Sequence, residues 1–226
     1  SGMPIQYVLG RASFRHLDLI VTPEVLIPRP ETELLVDVAI GHVSKCDVRR
    51  PRYLDLCCGS GALALSIAHE SKKAFVVGSD FSPSALKIAR NNARRNFLSD
   101  KVCWVCSDLF ESLNFSESEF DVIVCNPPYI PKNQLNNLQT EIKNFEPRLA
   151  LDGGEDGLDY YRRIVKDSVD YLGINGSLIL EVGDGQADEV ARLIENNGYL
   201  ECVNVVSDLN NRPRIVTGAK KSQEKY

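Results

Sequence analysis

From residue 52 onward the chain alternates strand-like apolar runs with helical stretches, and this rhythm limits its fold more than any single residue does. Tyr53 to Cys57 reads as a strand. Gly59-Ser60-Gly61 follows, then a helical stretch through Ala62, Leu65 and Ala68. Ala74 to Gly78 is a second strand ending near Asp80. Ser82-Pro83 then supplies a cap and a first helical residue ahead of Leu86, Ala89 and Ala93. Val102 to Cys106 is a third strand, and a polar loop from Glu111 to Glu119 leads to a fourth, Val122 to Cys125. Strands separated by helices at this spacing predict an α/β domain with a parallel sheet.

The fourth strand stops at Asn126-Pro127-Pro128-Tyr129. Two prolines remove two backbone donors and fix two φ angles, so neither strand nor helix continues through them. The result is a stiff turn at the carboxyl edge of the sheet, where open α/β folds place ligands. Such a turn suits a planar amine or amide as methyl acceptor. The nitrogen lone pair of such a group is delocalised, so the group is a poor nucleophile. If Asn126 Oδ1 and the Pro127 carbonyl each accept one N–H, the nitrogen is held with its lone pair free. The positive charge that builds on it is then stabilised. Tyr129 packs against the planar group. This chemistry needs no Ser-His-Asp set, and the three histidines, His16, His42 and His69, lie beside no motif.

The glycine turn permits close approach of backbone to ligand. Gly59-Ser60-Gly61-Ala62-Leu63-Ala64 also satisfies a dinucleotide pattern, so a nicotinamide cofactor and S-adenosylmethionine both remain open at this point. Three successive strands ending at Asp55, Asp80 and Asp108 are expected to put carboxylates in one layer. Asp55 faces an ammonium or simply accepts backbone N–H groups, Asp80 faces ribose hydroxyls, and Asp108, with Leu109 beside it, faces an adenine amino group. Such a layer suits S-adenosylmethionine and would repel a pyrophosphate.

The flanking segments are less regular. Ser13 to Val21 is read as a hairpin around Arg15-His16, and Pro30 as a first-turn proline with Glu31 and Glu33 at the positive end of a helix carrying Leu35, Val38 and Ala39. Residues 41–51 read as a polar connection. Ile130 to Gly157, long and rich in proline and glycine, is expected to be part of a substrate wall or lid. A helix from Leu158 through Leu172 is expected to end at Gly173. Then come a strand Ser177 to Val182, a helix around Val190, Leu193 and Ile194 closed by Gly198, and two strands, Tyr199 to Val206 and Arg214 to Thr217. The tail from Lys220 to Tyr226 reads as frayed, and Ser1-Gly2 ahead of Met3 as a tag remnant. The division expected is residues 1–50 as hairpin, helix and connection, and 51–226 as the Rossmann-like domain.

Composition narrows the classes. A formal net charge of −5 over 226 residues does not favour nucleic acid, although Arg49, Arg50 and Arg52 are a candidate local basic patch. Seven cysteines, with Cys57, Cys103, Cys106 and Cys125 in apolar runs, read as buried reduced thiols of a reducing compartment. Cys103-x-x-Cys106 lies inside a strand-like run with no second ligand pair, so no metal site is expected. No apolar run approaches a membrane span.

The motifs together resemble the release-factor glutamine methyltransferases, the HemK/PrmC family. The matching stretches are Pro4 to Gly10, Val25 to Glu33 with its Ile27-Pro28-Arg29-Pro30-Glu31-Thr32 core, the glycine turn, and Asn126 to Ile130. Phe145-Glu146-Pro147, Gly153-Gly154 with Gly157-Leu158, and Glu181-Val182-Gly183 with Gln186 complete the match. The Asn-Pro-Pro-Tyr turn alone is shared with adenine-N6 DNA and guanine-N2 RNA methyltransferases, and the Ile-Pro-Arg-Pro-Glu-Thr stretch is more specific. The resemblance implies a class I methyltransferase fold: a seven-stranded, mostly parallel sheet with its last strand antiparallel, plus the small N-terminal hairpin. It implies methyl transfer from S-adenosylmethionine to the side-chain amide of the Gly-Gly-Gln glutamine of class I peptide release factors. Asn126, Pro127 and Tyr129 would act on the acceptor, with Pro28, Arg29, Pro128 and Glu181 lining its path. Asp55, Cys57, Gly59, Gly61, Asp80, Phe81, Asp108, Leu109 and Asn126 would hold the cofactor. A cytoplasmic monomer that binds no nucleic-acid substrate is expected. Members begin with a small helical domain; the match here starts almost at residue 3, so a truncated form is expected. Cys57-Cys58 stands where Gly-Thr is usual, and which arginine of Asn211-Arg212-Pro213-Arg214 matches the family stays open. The rivals are a nucleic-acid amino-group methyltransferase, a dinucleotide oxidoreductase and a non-catalytic binding protein.

Overall fold

A computed structural model of the chain describes residues 2–46, 48–113 and 120–222. Most of the polar loop read from Glu111 to Glu119, the last residues of the tail and Ser1 lie outside the described residues. A short helix α1 (Ile5–Leu9) precedes the hairpin β1 (Arg11–Phe14) and β2 (Leu17–Ile20), paired antiparallel around Arg15, whose φ is 48°. Pro30 opens a 3₁₀ turn, Pro30–Thr32, that runs into α2 (Glu33–Lys45). The helix therefore extends into the stretch read as a connection, because Val43 is buried in the core and continues its apolar side.

Then come β3 (Arg52–Leu56), α3 (Ala62–Glu70), β4 (Phe75–Asp80), α4 (Pro83–Arg95), β5 (Val102–Cys106) and β6 (Phe120–Cys125). Ser82 caps α4 as expected, its Oγ accepting the Ala85 N–H at 3.2 Å. Between β6 and the next long helix lie two 3₁₀ turns and α5 (Thr140–Phe145). After α6 (Asp159–Tyr171) the chain passes directly into β7 (Leu172–Glu181), then α7 (Ala187–Asn196), β8 (Leu200–Ser207) and β9 (Pro213–Lys220). Gly173 is therefore not a helix cap. Leu172 already pairs with Phe120 of β6, so the strand begins five residues earlier than its apolar run suggests.

The seven strands are ordered β5-β4-β3-β6-β7-β9-β8. β9, last in sequence, is antiparallel to both neighbours. Alternate residues of each strand feed opposite faces. Tyr53, Val76, Val122, Val124 and Ile179 join the cluster containing residues of α2, α3 and the hairpin. Leu54, Leu56, Val77, Ile123 and Leu178 join the cluster containing residues of α6 and α7. Cys103 and Cys106 are exposed, contrary to the reading from their apolar run, because β5 is an edge strand. Among the described residues no helix is long and apolar enough to cross a membrane.

Candidate active site

A cavity of about 280 Å³ opens at the carboxyl ends of the parallel strands, small for a small-molecule site. Of the residues singled out from sequence, Cys57, Gly59, Asp80, Phe81, Asp108, Leu109, Asn126 and Pro128 line it. Their placement follows from register. Leu56, the last residue of β3, lies between Ser79 of β4 and Cys125 of β6, so the three strands finish within one residue of each other. Cys57 then turns the chain with φ 56°, a conformation natural to glycine, which is the residue usual there in the family resemblance.

Asp80 anchors this turn. Its Oδ2 accepts the Gly59 N–H and its Oδ1 the Ser82 N–H, both at 2.8 Å. A carboxylate offers about four acceptor positions, so two stay open. Burial raises the Asp80 pKa, opposed by the same two N–H bonds. Asp108 stands two residues beyond β5 and pairs with Arg163 at 2.9 Å.

The three carboxylates do not form one level layer. Asp55 pairs in register with Gly78, two residues before Asp80, and Asp80 pairs with Cys106, two residues before Asp108. They climb in steps across the sheet. Asp55 is wholly buried and lies behind the cavity wall, where its Oδ2 accepts the Ala64 N–H at 2.9 Å. Its Oδ1 has no hydrogen-bond partner, and burial pushes its pKa well up. A buried acceptor lacking a donor calls for a bound proton or a ligand donor. Gly61 also stays off the cavity. Its φ is 82°, and a Cβ there would come within 2.8 Å of the Trp104 ring, so this glycine serves helix–sheet packing.

The Asn-Pro-Pro-Tyr turn is gripped from several sides. A Cβ on Gly153 would meet the Tyr129 backbone at 2.7 Å, so residues 153 and 129 press together as only glycine allows. Ile130 N–H donates to the Leu151 carbonyl, and Gly153 N–H to the Ile130 carbonyl, each at 2.9 Å. Gln186 donates from Nε2 to the Tyr129 carbonyl at 3.0 Å and accepts the Gly183 N–H at 3.1 Å. Burial raises the Tyr129 hydroxyl to about 12, so it stays protonated.

Arg29, Pro28, Pro127 and Tyr129 do not line the cavity; of the turn only Asn126 and Pro128 do. Arg29 Nη2 instead binds Glu146 Oε1 at 2.5 Å, tying the Ile-Pro-Arg-Pro stretch to the 130–157 segment. That segment does supply cavity wall through Pro147, Leu149 and Ala150. Glu181, expected along the acceptor's path, is 4% exposed and its side chain hydrogen-bonds Thr32. Thr32 Oγ1 donates to Glu181 Oε2 at 2.6 Å and accepts from Asn126 Nδ2 at 3.2 Å.

Sequence reasoning did not give Thr32 a role, although it lies within the quoted Pro30-Glu31-Thr32 stretch, because 94 residues separate it from Asn126. Val25, Leu26 and Tyr160, also in the wall, went unassigned for the same reason. Arg214, one of two candidate arginines, binds Asp184 at 2.9 Å and Asp208 at 3.1 Å.

Residues 54–145 match a family model described as "Methyltransferase domain". A release factor glutamine methyltransferase of Geobacter sulfurreducens is 42% identical over 95% of this chain and 72% of its own length. One of Gloeobacter violaceus is 42% identical over 95% and 73%. The chain belongs to the release factor glutamine methyltransferase family. A solved protein-(glutamine-N5) methyltransferase (release factor-specific) from Alicyclobacillus acidocaldarius shares the fold at TM-score 0.52 and 29% identity, over 89% of this chain and 99% of that one. The hMettl16 catalytic domain, solved in complex with MAT2A 3′UTR hairpin 1, superposes at TM-score 0.70 and 16% identity, over 98% of this chain and 82% of that one. Its likeness is one of fold alone. Architecture does not choose the acceptor; membership in the family rests on sequence. The cavity fits this family's class of methyl donor, S-adenosylmethionine. It offers open acceptor positions on Asp80, and carboxylate and apolar surface at Asp108, Leu109 and Phe81, while Asp55 stays outside the lining.

Proposed function

We propose that the chain transfers a methyl group to the side-chain amide nitrogen of a release-factor glutamine, the residue in the Gly-Gly-Gln motif of class I factors. S-adenosylmethionine, when bound, supplies a methyl on a positively charged sulfur, ready for attack by a weak nucleophile. The open acceptor positions of Asp80 suit ribose hydroxyls, and Asp108 and Leu109 suit an adenine edge and face. Phe81, Cys57 and Gly59 shape the wall between them.

On the acceptor side, Asn126 has its Nδ2 engaged by Thr32, which turns Oδ1 to the other side. Oδ1 and the Pro127 carbonyl would each accept one N–H of the incoming amide. That fixes its plane and stabilises the charge gathering on nitrogen. Tyr129, protonated and packed into the turn, offers the amide a flat face, and Pro128 closes the wall beside it. The Asn126–Thr32 bond is the observation that carries this reading, since it leaves the amide oxygen as the acceptor. The test offers the purified chain, with labelled S-adenosylmethionine, a class I release factor, its Gln→Ala variant at Gly-Gly-Gln, duplex DNA and structured RNA. Label on the unmodified factor alone supports the reading, and label on nucleic acid alone overturns it.

A further inference from the structure

Asn126 can serve an incoming N–H only if its amide is turned the right way, and an amide alone has no reason to prefer one of two near-isosteric orientations. The neighbours supply that reason. The Thr32 hydroxyl has one proton, and the short bond to Glu181 Oε2, at 2.6 Å, uses it. Toward Asn126 the hydroxyl oxygen is therefore an acceptor, so the group facing it must be Nδ2, as found at 3.2 Å.

We infer that Glu181, acting through Thr32, is a positioning residue that sets which face of the Asn126 amide meets the acceptor. This rests on the proposed amide-methyl transfer and adds to it a control over the turn from the end of β7. The chain of contacts is buried: Thr32 is 5% exposed and Glu181 4%. It joins three elements distant in sequence, the turn before α2, the end of β7 and the end of β6.

The relay works only while Glu181 is ionised. A protonated carboxyl can donate to Thr32, which frees the hydroxyl proton to point at Asn126 and removes the reason for Nδ2 to face it. The groups around Glu181 oppose one another. Glu31 and Arg29 face it from the segment ahead of α2, and Arg214 from β9. Tyr129 faces it from the turn after β6. Tyr161 of α6 donates to the Glu181 carbonyl at 2.9 Å. Burial outweighs the Thr32 bond and the two arginines and pushes Glu181 up to about 7. A buried carboxylate at that value changes state near neutral pH.

The experiment pairs kinetics with nuclear magnetic resonance. Glu181→Leu and Thr32→Val should lower kcat by at least about tenfold with little change in KM for either substrate. Thr32→Ser, which keeps the hydroxyl, should recover most of the Thr32→Val loss, and Glu181→Gln, whose amide oxygen can still accept the hydroxyl proton but whose Nε2 can also donate, should recover only part of the Glu181→Leu loss. The wild-type kcat should fall as pH drops below about 7, and Glu181→Gln should lack that limb. Independently of turnover, the Asn126 side-chain amide resonances, assigned by their loss in Asn126→Ala, should move with pH about the same midpoint. They should stay still in Glu181→Gln. Stationary resonances in the wild type, or the same titration in Glu181→Gln, overturn the relay. Equal kcat in Leu and Gln variants, both folded by thermal melt, also overturns it. If the Leu and Val variants do not fold, the Gln and Ser variants and the resonances decide. A wild type that methylates no release factor overturns the acceptor reading, and the resonances still decide the relay.

Discussion

The ends of β4 and β6 flank β3 on either side and both face the cavity, yet they are built by different means. At β4 one carboxylate does the work, through two backbone N–H groups. Asp80 binds Gly59 and Ser82, and the latter lies only two residues away. At β6 the turn is held by residues far off in the chain: Thr32, Gly153, Gln186 and, behind Thr32, Glu181. A site that only binds can be assembled from a strand end, the adjacent helix start and the turn after the neighbouring strand. A site that must orient a weak nucleophile needs restraint from several directions, and distant elements provide it.

Four substitutions sharpen or break this contrast. Asn126→Ala should have the largest effect, a fall in kcat of about 10²–10³-fold, the range seen when a preorganised transition-state contact is removed. Cofactor affinity, measured by calorimetry, should barely change. An equal loss in both would mean that the two strand ends are one unit. Gly153→Ala comes next. Its Cβ would press on backbone atoms of Tyr129 and Pro128 at 2.7–2.9 Å, so the turn must shift. A displacement near 1 Å predicts a kcat loss of about 10²-fold without loss of cofactor binding. Asp80→Ala should act the other way, weakening cofactor binding by about 10- to 100-fold, since a charged acceptor with two backbone bonds is lost. Unchanged affinity would refute the ribose placement. Asp108→Ala should cost only severalfold in affinity, because this carboxylate is partly exposed and already shared with Arg163. A loss as large as that of Asp80→Ala would shift the weight of recognition to the adenine side.

The same contrast explains what could be read from the sequence. Strand, glycine turn, capped helix and acidic strand end are local patterns, and Tyr53 to Asp108 folded nearly as its periodicity indicated. Misreadings arose where a tertiary partner overrode the local signal. Val43 carried α2 past a polar stretch, Leu172 entered a strand because Phe120 paired with it, and Cys103 and Cys106 lay on an edge. At the site, Asn126 and Asp80 were legible from the residues ahead of them. Thr32 was not, since nothing within a few residues of it points to a partner 94 positions away. Pro28 and Arg29 drew notice as part of an unusual stretch. Arg29 holds Glu146 and does not line the cavity.

The most direct measurement is mass-spectrometric localisation of the methyl group after the chain acts on an intact class I release factor with S-adenosylmethionine, run beside Asn126→Ala. The account predicts a single added methyl on the side-chain nitrogen of the Gly-Gly-Gln glutamine, nearly absent with the variant. A methyl elsewhere on the factor, or an unchanged yield from Asn126→Ala, would contradict it.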